Sequence, residues 1–109
     1  MLIIKNEYRL YAIKVSKLSA VAIDDYLCTF YMENGEKVTC SKTLKEIHEN
    51  LPPHFMRISR NCIVNVKKVK QIDTRKRKIE LENGLSFSFS CRNAKKLKDK
   101  FIFTHQDLT

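Results

Sequence analysis

The residues in this chain best placed to do chemistry are Ser59, Arg60 and Asn61, a polar triplet between two apolar runs. Phe55, Met56 and Ile58 precede it, and Cys62, Ile63, Val64 and Val66 follow. Such a pattern reads as strand, loop, strand, and loops carried on a rigid scaffold are where binding groups project. Arg60 falls at the loop's tip. Its planar guanidinium can pair bidentately with a phosphate or with the major-groove edge of guanine. The plainer alternative is a surface turn holding one solvated arginine.

The charge distribution bears on that choice. The 109 residues carry a formal net charge of +9. Residues 1–53 hold seven basic and seven acidic side chains and balance. Residues 54–100 hold fourteen Lys or Arg against Asp73, Glu80, Glu82 and Asp99, an excess of ten. The whole surplus lies in the half that opens with the triplet. A one-sided excess of this kind points to a polyanion, nucleic acid before an anionic membrane surface. A basic face that only aids solubility is the competing reading. Lys67, Lys68, Lys70 and the run Arg75–Lys78 are candidates for neutralising phosphate, or are simply solvated.

Other chemistries lack their residues. The cysteines at 28, 40, 62 and 91 form no CxxC pair, so they read as small buried hydrophobes. His48, His54 and His105 have no ligand spacing, and no metal or cofactor is expected. No nucleophile–base set, phosphate-cradling glycine loop or paired catalytic carboxylates can be assembled, so the chain is not expected to be an enzyme. Apolar runs are too short to span a bilayer, and MLIIKNEYRL is too brief for a secretory signal. A cytoplasmic location is expected.

The elements that must position these residues read mainly as β-structure. Leu2–Ile4, Tyr8–Val15 and Lys17–Ile23 are strand-like, and Asp24-Asp25-Tyr26 reads as a loop. Tyr26 is either projected from that loop or packed at the start of the next strand. Leu27–Met32 and Glu36–Cys40 flank Glu33-Asn34-Gly35. A three-residue loop with Gly35 left-handed pairs Phe30 with Val38 and Cys28 with Cys40, which keeps like faces together. Thr43 and Glu46 have capping-box spacing, Leu44, Ile47 and Leu51 share a helical face, and Pro52-Pro53 stops this helix. Val69–Asp73 and Lys78–Glu82 read as strands, and Glu82-Asn83-Gly84 repeats the earlier loop. By the same argument Leu81 pairs with Leu85 and Ile79 with Phe87. Asn65 reads as a buried, turn-forming asparagine. Ala94, Leu97 and Phe101 define a closing helix, with residues 102–109 a flexible tail. Eight or more short strands against two helices make one mainly antiparallel β domain over residues 1–101. No helix-turn-helix is present, so any reading of DNA must come from loops.

With these pieces in order, the chain resembles the LytTR family of DNA-binding domains over residues 2–101. FMRISRNCIVNVKKVKQI is similar to the family's F-x-R-x-H-R-S-x-x-V-N pattern, and TLKEIHENLPP before it and SFSCRNAKKL after it complete the likeness. The resemblance implies an elongated fold of several small antiparallel sheets whose loops enter successive major grooves on one face of duplex DNA. It places Tyr26, Arg60 and Arg92 as base readers. Ser59, Asn61, Asn93, Lys95 and Lys96 become supporting or backbone contacts, with Lys67 and Lys68 added from the basic run. Ser59 stands where the family often has His. Asp24 and Asp25 would repel phosphate unless they face away or accept from a cytosine amine. The family further implies a regulator module fused to a response-regulator receiver, two copies on promoter direct repeats, and weak or DNA-dependent dimerisation. A non-specific RNA or single-strand binder is the alternative, disfavoured because Phe87 and Phe89 alternate as core residues and make no stacking platform. An anionic-membrane or protein-interaction module is a third reading.

Overall fold

Ten short strands alternate along the chain with two helices and three single 3-10 turns; the computed structural model describes residues 1–109. The molecule is elongated, 49 × 25 × 24 Å. β1 (Leu2–Lys5) and β2 (Leu10–Ile13) form a two-stranded hairpin. A central five-stranded antiparallel sheet contains β3 (Leu18–Asp24), β4 (Leu27–Met32), β5 (Lys37–Cys40), β6 (Phe55–Ser59) and β7 (Cys62–Asn65), in the order β5-β4-β3-β7-β6. A third sheet runs β10-β9-β8, from β8 (Val69–Asp73), β9 (Lys78–Leu81) and β10 (Ser86–Ser88). α1 (Leu44–Glu49) and α2 (Ala94–Thr104) complete the fold.

Both Glu-Asn-Gly loops take the three-residue form. Phe30 faces Val38 and Cys28 faces Cys40 in the first, and Ile79 faces Phe87 in the second. Gly35 and Gly84 sit at φ 93° and 91°, backbone that a Cβ disfavours. Thr43 caps α1 by accepting from the Glu46 N–H at 3.1 Å, and Leu44 and Ile47 are buried beneath it.

The central sheet is covered on both faces. Val21, Phe30 and Ile63 pack with Leu44 and Ile47 of α1 and with Ile4 and Ile13 of the first hairpin. Ala20, Cys62 and Val64 point the other way, into Val69, Ile79, Leu81 and Phe89 of the third sheet and Leu97 of α2. β7 is therefore buried at every position, and alternation fails there because both faces are core.

Three sequence expectations change. Tyr8–Val15 is not one strand: a turn closes with the Asn6 N–H on the Arg9 carbonyl, and Val15–Lys17 winds into a 3-10 turn. Cys91 is exposed and only the other three cysteines are buried, because Cys91 opens the 3-10 turn after Phe89 and faces Arg77. α2 continues past Phe101 to Thr104, and a His105 ring nitrogen lies 3.1 Å from the Val66 carbonyl. The apolar stripe ends before the helix does: Phe103 is 90% exposed, so periodicity gave no sign of the last turn.

Candidate nucleic-acid interface

The strand order sorts the connections to two ends of the molecule. β3 runs antiparallel to both β4 and β7, so the β3–β4 turn (Asp25-Tyr26) and the β6–β7 turn (Arg60-Asn61) share one end of the central sheet. They are tied directly, the Ile23 N–H donating to the Asn61 carbonyl at 2.8 Å. The 3-10 turn Cys91–Asn93 joins the same end through the Ser90 N–H, which donates to the Ile58 carbonyl at 2.9 Å. Three loops far apart in sequence thus stand in a row.

Each loop is shaped by local bonds. Asp25 occupies left-handed backbone at φ 57°, a conformation aspartate tolerates better than most residues. Beside it Tyr26 is 94% exposed, so it projects from the turn and does not pack at the strand start. In the second loop the Ser59 hydroxyl accepts from the Asn61 N–H at 3.2 Å. Arg57, which sequence reasoning missed, donates from Nε to the Ser59 carbonyl at 3.3 Å and from Nη2 to the Arg60 carbonyl at 2.6 Å. The signal was there in the first arginine of the F-x-R-x-H-R-S pattern, which falls on Arg57, although the pattern does not say that the side chain bonds back to the loop. In the third loop Asn93 donates from its side chain to the Ser90 hydroxyl at 2.8 Å.

The second and third loops enclose a polar cleft of about 510 Å³ lined by Arg57, Ser59, Arg60, Ser90, Arg92 and Asn93. No carboxylate pairs with Arg57, Arg60 or Arg92. Three unneutralised guanidiniums around one cleft form an anion-attracting surface whose geometry suits phosphate or a guanine edge. Lys96 follows on α2, and Lys95 reaches Asp99 at 2.9 Å.

Lys67 and Lys68 are not brought to this row. They sit in the 3-10 turn Val66–Lys68, at the opposite end of β7. Lys68 is only 17% exposed and binds the Glu33 carboxylate, which Lys17 meets from the other side at 3.1 Å. Lys67 lines a separate cleft with Lys96 and Lys100 of α2 and with His54, whose pKa is pushed down by burial and then by Lys67 and Lys100. Asn65 is buried as expected: it donates to the Leu18 carbonyl at 3.0 Å and accepts from the Lys67 N–H at 3.1 Å.

No three His, Cys, Asp or Glu side chains are grouped to hold a metal ion, and no helix is long and apolar enough to cross a membrane. Burial pushes the Cys28 thiol up to about 11 and the Cys62 thiol up to about 12, so neither is a ready nucleophile.

The fold is a mainly antiparallel β domain with three loops gathered at one end, two of them cationic and the first carrying Asp24 and Asp25. The chain belongs to the LytTR family, matching its LytTr DNA-binding domain over residues 8–102. The solved LytTr DNA-binding domain of a Bacillus cereus protein, described as a methyl-accepting/DNA response regulator, has the same fold. The TM-score is 0.78 at 24% identity, over 91% of this chain and 94% of that one. No curated protein matches the chain.

Proposed function

We propose that this domain reads duplex DNA sequence-specifically through turns inserted into the major groove, as the DNA-binding module of a bacterial transcription regulator. The observation that carries the reading is the row of three loops at one end of the molecule, holding Arg57, Arg60 and Arg92 free of any carboxylate. Arg60 and Arg92 take guanine edges, and Tyr26 contacts a base from the adjoining turn. Ser59, Asn61 and Asn93 shape the loops or meet sugar and phosphate, with Lys95 and Lys96 on the backbone. Lys67 and Lys68 take no part, because their turn lies at the far end of β7 and Lys68 is neutralised by Glu33.

The remaining parts of the reading come from family membership. Two copies occupy direct repeats at a promoter, dimerising weakly or only on DNA. A receiver domain in a longer parent chain supplies the input, and the protein works in the cytoplasm with no catalytic role.

Selection of bound duplexes from a random pool at physiological salt tests this. Two short, similar half-sites about one helical turn apart are expected. Retention of DNA without an enriched sequence, or equal affinity for single-stranded RNA, would replace the reading with a general polyanion binder.

A further inference from the structure

The fold contains an internal repeat. Val15–Lys17, β3, β4, the Glu33 loop, β5 and α1 recur as Val66–Lys68, β8, β9, the Glu82 loop, β10 and α2. Corresponding bonds close both halves. The Glu33 N–H donates to the Lys17 carbonyl at 2.8 Å, and the Glu82 N–H to the Lys68 carbonyl at 2.9 Å. Both loops lie at the end of the molecule away from the binding row. Each half also has one non-glycine residue of positive φ in the turn at the row's end, though at different places: Asp25, at 57°, opens a two-residue β3–β4 turn, and Arg77, at 53°, closes a four-residue β8–β9 turn. The counterpart of the Asp25-Tyr26 turn is therefore Thr74–Arg77.

That turn joins the row. The Phe89 N–H donates to the Arg77 carbonyl at 3.0 Å, and the next residue, Ser90, is the one bound to Ile58. Arg77 also donates from Nη1 to the Cys91 thiol beside Arg92. The turn is held firmly: the Asp73 carboxylate accepts from the Lys76 N–H at 2.9 Å. Arg75, Lys76 and Arg77 are exposed, and none has an ion-pair partner. Three adjacent, unneutralised cations on a rigid turn repel one another until an external polyanion is present.

We propose that Thr74–Arg77 is a fourth DNA-contacting turn, with Arg75 and Lys76 gripping the phosphodiester backbone beyond the base read by Arg92. Phosphate is the target, because Arg75 and Lys76 are adjacent exposed cations whose side chains have no hydrogen-bond partner to aim them at a base edge, and a flexible lysine serves as a point charge. The inference deepens the DNA-binding reading and rests on it.

The test compares the full chain with an Arg75→Ala/Lys76→Ala double variant, on a duplex carrying the selected site and on a random-sequence duplex, across a range of salt. The Arg75 and Lys76 side chains are exposed and make no ion pair, so the variant is expected to keep its thermal midpoint. Each phosphate contact contributes roughly 0.9 to the slope of log affinity against log salt, so the variant's slope should be about 1.8 shallower. The ranking of single-base variants of the site should stay unchanged. Trimming the site duplex on the Arg92 side should bring wild type and variant together. Equal slopes on both duplexes would overturn this proposal alone. A wild type showing no site preference would instead overturn the sequence-specific reading, with the slope difference on random duplex still deciding the phosphate contact.

Discussion

The Arg57 guanidinium spans the loop that carries Arg60, donating to the Arg60 carbonyl at 2.6 Å and to the Ser59 carbonyl at 3.3 Å. Both acceptors are backbone, so the bonds act on the loop's conformation and not on the Arg60 side chain itself. The β6–β7 register shifts between Arg57 and Ser59, where the ladder cannot hold the chain. Arg57 supplies there what strand pairing does not.

Arg57→Ala should therefore weaken discrimination at the base read by Arg60, by up to the ~1–3 kcal/mol of a bidentate arginine–guanine pair. The preference at the Arg92 base should be unaffected. Competition binding with singly substituted sites reads both. In an Arg60→Ala background, Arg57→Ala should remove no further discrimination at that position. Additive losses would mean that Arg57 meets DNA on its own account.

Local structure was legible in the sequence, and the reason is physical. Hairpin register follows from which faces must match, so the pairs Phe30–Val38 and Ile79–Phe87 could be derived from alternation and one glycine. The Thr43 cap is likewise a relation three residues long. Loops two and three were legible as candidates because charge and strand breaks mark them. What could not be read was which distant groups meet. Lys68 looked like a phosphate ligand in a basic run, yet its partner Glu33 lies 35 residues away. That Ser90 bonds to Ile58, and so places Arg92 beside Arg60, depends on how the third sheet packs on the central one.

Asn65 provides a structural prediction separable from binding. It is 2% exposed, and its amide serves the Leu18 carbonyl and the Lys67 N–H together. Asn65→Ala leaves both without that partner, at a cost of about 1–3 kcal/mol for each group that stays buried and unpaired. Urea unfolding should show a lower midpoint with an unchanged slope. Because Asn65 is at the far end of β7 from the row, site preference measured well below the unfolding transition should match wild type. A changed preference would place Asn65 in the reading machinery.

The Glu33 ion-pair set makes stability depend on pH, and the sign follows from the shift. Hydrogen bonds from Lys68 and then Lys17 hold the Glu33 carboxyl below the usual range. A carboxyl with a depressed folded pKa stabilises above its unfolded pKa, near 4.3 for glutamate, and loses that contribution as pH falls through the folded value. Wild type should thus be more stable than Glu33→Gln at pH 7, and the gap should close on acidification below about pH 4. Chemical denaturation of both proteins from pH 7 to pH 3 measures it, and a gap independent of pH would show that the carboxylate charge contributes nothing. The same pairing bears on function. Since Lys68 is already neutralised within the fold, Lys68→Met should leave the salt dependence of DNA binding unchanged, whereas a shallower slope would return Lys68 to the phosphate contacts.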